Sequence, residues 1–328
     1  MIEKILFPPV VITEIVTNIS IEQINPKADV PDLVALNRKD SETSETTNPK
    51  EWQHLSRMER WQQGGPWLDR QTLALHLDVM EEAGGIILIA RTPDMLVGEL
   101  ELLFETQTRK PHQAFITWMV VHPGFRHQGI GSQLINHAAK ITQSKGCNQL
   151  FTTAENSEAT QFFEANDFQI IDQEAQFSKT LKPFRRPPSF GIQQIALQWK
   201  QREHTPMGFV PRVGINYTSE YIWSYLRRTD YLYSMLGIDV PRPQLWLLRQ
   251  DEKEALTVDY PFLRVWLDEK NAQDIKFLTS VLTITEYLSW KNGVTQISAF
   301  SHQAQYDFFT ERGYQLKQEH PFLTRSLS

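Results

Sequence analysis

Residues 19–24 (ISIEQI) alternate apolar and polar side chains, the period of a half-buried β-strand. Helical spacing then takes over. Val30, Leu33, Val34 and Leu36 predict a short helix from Pro26 to Arg38 with those residues inward. Residues 40–49 are polar and rich in Ser and Thr, which predicts a loop. Helical spacing returns over 50–63 and 69–83, broken by Gly64-Gly65-Pro66. Two strands follow, Ile86–Arg91 and Leu96–Glu105, with a Thr-Pro-Asp turn between them, and a third runs from Ala114 to Val121. A helix from about Gly129 to Ser144 is closed by Gly146. A strand (149–154), a helix (157–165) and a strand pair (168–181) complete the run.

Residues 183–189 (PFRRPPS) hold three prolines, which block both helix interiors and ladder pairing, so they predict a linker. Beyond it the chain repeats itself. GCNQLFTTAENSEATQFFEANDFQIIDQEAQFSKTL (146–181) aligns with GVTQISAFSHQAQYDFFTERGYQLKQEHPFLTRSL (293–327), at an offset of 147 at the start and 146 at the end. Gly146/Gly293, Gln149/Gln296, Phe162/Phe308, Phe163/Phe309, Gln169/Gln315 and Leu181/Leu327 are identical pairs. The division expected is therefore 1–182, a linker at 183–189, and a second unit at 190–328.

The chemistry concentrates between Phe115 and Lys145. An apolar strand ends in Val121-His122-Pro123, and Arg126-His127-Gln128-Gly129-Ile130-Gly131 then opens an amphipathic helix. The first N–H groups of a helix lack intrahelical partners, and the helix dipole adds partial positive charge there. A pyrophosphate can accept several of them together. Gly129 and Gly131, lacking Cβ, predict close approach of phosphate to backbone, and Arg126 predicts a fixed charge beside it. There is no third glycine for a dinucleotide fingerprint and no Gly-Lys-Ser/Thr for a P-loop.

The run Val-x-Pro-x-x-Arg-x-x-Gly-x-Gly, Val121 to Gly131, resembles the acyl-CoA-binding motif of the GNAT acetyltransferase superfamily. Glu155-Asn156, Ala159, Phe162-Phe163-Glu164 and Phe168 are similar to a second stretch of that family, Asn-x-x-Ala-x-x-x-Tyr-Glu-x-x-Gly-Phe. The resemblance covers about residues 17–182 and implies an α/β (α+β) fold: two tandem GNAT-like domains, each a mixed, mainly antiparallel sheet flanked by helices. It implies acetyl-CoA as acyl donor and no metal. Backbone amides of Arg126, His127, Gln128, Gly129, Ile130, Gly131 and Ser132 would cradle the pyrophosphate. The strand edge Met119, Val120 and Val121 would pair with the pantetheine arm, and an amide at Val120 or Val121 would polarise the acyl carbonyl. Asn156 would bond the arm or its neighbourhood. Phe163 stands beside the cofactor where the family often has a tyrosine acid, and it has no proton to donate.

The base is not where the family often has it, since Thr117 stands at that place. Glu99 and Glu101, two apart on one strand face, are the candidates to take the amine proton, whether that face meets a pocket or solvent. Trp52, Trp61 and Trp67 could wall an acceptor site. Tyr217, Tyr221 or Tyr225 could supply an acid. In the second unit Lys276 falls where Gly129 would be and Leu278 where Gly131 would be, with Asp268, Glu269 and Asp274 nearby. That half is read as degenerate and free of the CoA loop, able to shape the acceptor pocket or support a homodimer. The activity implied is direct transfer of an acetyl group to a primary amine, on a small molecule or a peptide, in a ternary complex. The alternative is a non-catalytic acyl-CoA-binding regulatory protein.

Composition narrows this further. The net charge of −6 and the absence of a Lys/Arg run exclude an ordinary nucleic-acid binder. One cysteine, Cys147, excludes an internal disulfide and all but excludes a cysteine-based zinc site. No run of 18 apolar residues predicts a membrane helix, and the first residues are too interrupted for a signal peptide. The expectation is a cytoplasmic enzyme.

Overall fold

The computed structural model describes residues 18–41, 65–105, 113–197, 245–258, 264–266 and 274–327. Strand β1 (Ser20–Gln23) leads into α1 (Val30–Ser41), then a 3-10 turn (Gly65–Leu68) and α2 (Arg70–Glu82). Strands β2 (Ile86–Arg91), β3 (Leu96–Glu105) and β4 (Gln113–Val121) form a meander, followed by α3 (Ile130–Ser144), β5 (Gln149–Thr153), α4 (Ser157–Glu164) and β6 (Gln169–Thr180). The second part contributes β7 (Gln193–Leu197), β8 (Leu245–Gln250), β9 (Lys253–Val258), β10 (Arg264–Trp266), α5 (Ile275–Lys291), β11 (Gln296–His302), α6 (Tyr306–Glu311) and β12 (Gln315–Ser326). The mixed, mainly antiparallel sheets flanked by helices agree with the expected fold class. Two expectations are corrected. The first helix starts at Val30 and runs to Ser41, and 168–181 is one long strand, not a pair.

Eight strands form one sheet in the order β1-β2-β3-β4-β5-β12-β6-β11, and β10-β9-β8-β7 form a second. Among the described strands only β4 and β5 pair in parallel. The sequence boundary at 183–189 does not break the large sheet. Strand β12, from the end of the chain, lies between β5 and β6; strand β6 lies between β12 and β11. Each half thus hands its last strand to the other. The exchange is in repeat register: Phe322 faces Thr153 where β12 meets β5, and Gln176 faces Phe300 where β6 meets β11. A cation at the same repeat position fastens each exchanged strand. Lys179 on β6 reaches Glu286 of α5 at 2.8 Å; Arg325 on β12 reaches Asn136 of α3 at 3.3 Å and Asp167 at 3.4 Å. Glu286 is buried and also accepts from Tyr314 Oη at 2.9 Å and Arg312 Nη2 at 3.2 Å. Buried charge is tolerated because it is paired on every side.

The two faces of the first half's sheet carry separate cores. Helices α1 and α2 bury Leu33, Leu36, Leu73, Leu77 and Met80 against Ile87, Ile89 and Val120. Helix α3 buries Ile130, Leu134, Ile135 and Ala138, at helical spacing, against Leu88, Ala90, Leu100 and Leu102. Leu247 of β8 joins the first of these cores, while Leu248 beside it packs with Phe277, Val281 and Leu282 of α5. The second sheet therefore bridges the two halves.

Candidate functional site

The loop after β4 is built by backbone conformation. His122 Nδ1 accepts from the Gly124 amide at 3.1 Å and starts a short 3-10 turn, Pro123–Phe125. His127 (φ 60°) and Gly129 (φ 79°) are both left-handed, with one residue between them. Helix α3 then begins at Ile130 with no side chain capping its first amides. A Cβ on Gly129 would meet nothing within 4 Å, so the approach to those amides is open.

The equivalent end of α5 is closed. Asp274 caps it, accepting from the Phe277 amide at 3.0 Å, and pairs with Lys253. Lys276, which the sequence match sets opposite Gly129, lies inside this helix. Helix α5 has 17 residues against 15 in α3, the extra length lies at its N-terminus, and the residue in Gly129's capping place is Asp274.

Three other expectations change. Gly131 is needed for packing: a Cβ there would sit 2.8 Å from Phe162 Cζ and 3.0 Å from Met119 Cε. Arg126 is a brace, not a free charge. Its Nε donates to the Val121 carbonyl at 3.2 Å and its Nη2 pairs with Asp40, fastening the loop to the end of α1. Burial raises the Asp40 carboxyl more than Arg126 lowers it. Asn156 caps α4 through Oδ1, accepting from the Ala159 amide at 2.8 Å. Of the rest, His127 is exposed, Gln128 Nε2 donates to the Gly124 carbonyl at 3.3 Å, and Ser132 lies in the first turn of α3.

A cleft opens where β4 and β5 part. Their pairing covers Gln113–Phe115 with Gln149–Phe151 and stops there, although β4 continues to Val121. The His122 amide donates back to Val97 at 2.9 Å, toward β3. Backbone groups alternate sides along a strand, so the amides of Val121 and Met119 turn the other way, toward the parted β5, while that of Val120 turns to β3. The Arg126 bond to the Val121 carbonyl fits this parity.

On the α1/α2 face of β3, Glu99 and Glu101 are both completely buried. Glu101 lies opposite Trp118, and Thr117 is the extra residue of a bulge in β4 at that level. Glu101 Oε1 accepts from Trp67 Nε1 at 2.9 Å and lies 2.9 Å from His76 Nε2; Thr117 Oγ1 donates to Oε2 at 3.4 Å. Glu99 Oε2 accepts from Asn37 Nδ2 at 2.9 Å, and Trp118 Nε1 donates to Asn37 Oδ1 at 3.1 Å. Glu99 Oε1 has no hydrogen-bond partner among the described residues. Trp67 stacks on Trp118 with centroids 4.2 Å apart and meets His76 edge-on.

Burial, with the charge of Glu101 behind it, pushes the Glu99 carboxyl well above the usual carboxylate range; the contacts with Asn37 and Trp118 pull the other way and lose. The folded chain then keeps this proton where the unfolded chain has lost it. The resulting stability is complete below the unfolded pKa of about 4.3 and is lost as pH rises toward the folded value. Glu99→Gln fixes the group neutral. Urea denaturation from about pH 5 to pH 8 should show the variant gaining on wild type as pH climbs. A difference that stays constant over that window would contradict a protonated Glu99.

Sequence reading missed Asn37, His76 and Trp118. The signal was there for two of them: His76 lies in the apolar stripe Leu73, Leu77, Met80, and Asn37 follows Leu33 by one turn. A polar residue inside a buried stripe needs a partner. Phe163 is in the core, its ring against Phe162 and Phe168. Cys147 is buried, and burial pushes its thiol up. Trp52, Trp61, Tyr217, Tyr221, Tyr225, Asp268 and Glu269 lie outside the described residues, as do the loop at 42–49 and the helical stretch 50–63. No group of three or more His, Cys, Asp or Glu able to hold a metal occurs among the described residues. No described helix is long and apolar enough to cross a membrane.

The model of the acetyltransferase (GNAT) family matches residues 48–168, a span that holds the loop, the parted strands and both carboxylates. Over that span the chain is similar to the GNAT family. No curated protein matches the chain by sequence. Solved structures of GNAT fold match this chain along nearly its whole length. A tandem GNAT protein from the clavulanic acid biosynthesis pathway covers 95% of this chain and 99% of its own, at TM-score 0.55 and 12% identity. A structure from Pyrococcus horikoshii assigned as an acetyltransferase covers 95% and 90%, also at 0.55 and 12%. A GCN5-related N-acetyltransferase from Sphaerobacter thermophilus covers 94% and 96%, at 0.51 and 12%. At such identities the likeness is one of fold alone.

Proposed function

We propose that this protein transfers an acetyl group from acetyl-CoA to a primary amine, on a small molecule or a peptide, by direct attack in a ternary complex. The observation that carries the reading is the uncapped start of α3 at the mouth of the parted strands, one strand away from two buried carboxyls. The GNAT-family match over this segment supports it. Residues 1–182 would form the active unit and 190–328 a degenerate partner, its helix end closed by its own Asp274.

Acetyl-CoA, when bound, supplies an activated thioester carbonyl. The amides of the Arg126–Ser132 loop hold the diphosphate, with the open side of Gly129 giving room for it. The amides of Met119 and Val121, turned to the gap, pair with the arm and polarise the carbonyl. An amine arrives as ammonium at neutral pH and must lose a proton before it attacks. Glu99, held neutral, is a poor acceptor for it. Glu101 is the better one, since His76 at 2.9 Å can share the proton and Trp67 and Thr117 fix the carboxylate. Phe163 cannot protonate the departing thiolate.

The test is thiol release. Protein, acetyl-CoA and a panel of amines should yield free CoA in step with acetylated product. CoA binding by calorimetry, with no thiol released by any amine, would overturn catalysis and leave an acyl-CoA-binding protein in its place.

A further inference from the structure

Three phenylalanine rings run across β4, β5 and β12 where the cleft begins. Phe115 and Phe151 are the last paired residues of β4 and β5, and their rings stack at 5.3 Å with an interplanar angle of 19°. Phe322, brought in by β12, stacks on the far side of Phe151 at 5.6 Å and 12°. All three are buried and form a cluster of their own, apart from the larger cores. Beyond this point β5 stays with β12, through Thr152–Leu323 and Thr153–Phe322, while β4 stays with β3.

We infer, resting on the acetyl-CoA reading above, that Phe322 of the second half is a positioning residue for the cofactor cleft of the first. A strand leaves its neighbour only if another holds it, and β12 is what holds β5. The ring stack fixes the point of parting, because Phe115 and Phe151 are kept face to face by a third ring with little freedom to move. The same site in the second half argues that this is not a demand of the fold. Strand exchange recurs there in the same register, yet Gln176 stands for Phe322 and Ser298 for Phe151. The stack is present only in the half whose helix end is open to an anion. The second half, with its own helix end capped, thus serves the first by completing its sheet and setting its cleft.

The test uses full-length chain and CoA, titrated by calorimetry at a temperature where every variant is folded by circular dichroism. Phe322→Leu keeps apolar bulk and ends the stack; it should weaken CoA binding about tenfold or more, since small misplacements of a binding strand are costly. Phe322→Tyr keeps the ring and should stay within about threefold of wild type. Phe277→Ala removes a ring of equal size from the core of α5; it should lower Tm yet leave CoA affinity within about twofold. Wild-type affinity in Phe322→Leu, equal losses in the Leu and Tyr variants, or an equal loss in Phe277→Ala would each overturn the inference. A wild-type chain that binds no CoA would be a different failure, that of the acetyl-CoA reading itself.

Discussion

Glu101→Gln should lower kcat/KM for acetyl transfer by about 10²- to 10³-fold while CoA affinity stays within about twofold. The replacement is isosteric, and an amide oxygen can still accept from Trp67 Nε1, so the neighbourhood should survive. What is lost is a group able to accept a proton. His76 would then face a neutral amide and could no longer pass a proton to it. The pH dependence identifies the role. If Glu101 takes the amine's proton, the deficit must shrink as pH approaches the amine's own pKa, about 10 for an alkylamine, because the nucleophile then arrives neutral. A deficit that is the same at pH 7 and near pH 10 would mean Glu101 holds structure instead. His76→Gln should cost less, on the order of tenfold, because it removes the sharing partner and leaves the carboxylate in place. Initial rates with one amine over that range, beside CoA titrations of each variant, are the measurements required.

The parts of this site that were legible in the sequence are those that depend on local rules. The period of Ile130, Leu134, Ile135 and Ala138 gave α3, and the glycine at 129 marked the open backbone at its start. The alternation of β3 put Glu99 and Glu101 on one face. The face itself was not legible, because both sides of β3 are covered and only packing decides which helix lies on which. Asn37 and Trp118 are 81 residues apart and meet through a hydrogen bond no local pattern predicts. Strand exchange was hidden for a related reason. The repeat showed that β6 and β12 are equivalent, and equivalence makes them interchangeable: each could complete either sheet with similar hydrogen bonds. Lys179 and Arg325 discriminate, each finding its partner on the other half's helix. Arg126 shows the opposite error. A cation next to an anion-binding loop reads as a ligand for that anion, but Asp40 lies 86 residues away in sequence and takes the charge first.

Gly129→Glu carries the second large effect, a loss of CoA affinity of about a hundredfold or more with the fold retained. Two separable costs are involved. Any side chain at φ 79° strains the backbone by about 1–2 kcal/mol, and Gly129→Ala measures that part alone, since the new Cβ would touch nothing. The glutamate adds a negative charge at the open amides, where it competes with the diphosphate and repels it. The second half supplies a natural precedent, for Asp274 sits at the same capping place on α5 and takes up the Phe277 amide. Gly129→Glu in effect converts the open helix end into the closed one. The reciprocal control is Lys276→Glu, a charge change on an exposed residue of α5, which should leave CoA affinity unchanged. If Gly129→Ala loses as much affinity as Gly129→Glu, the loop's shape and not its charge governs binding. If neither variant loses any, the diphosphate is held elsewhere, and the open end of α3 is not where this protein grips its acyl donor.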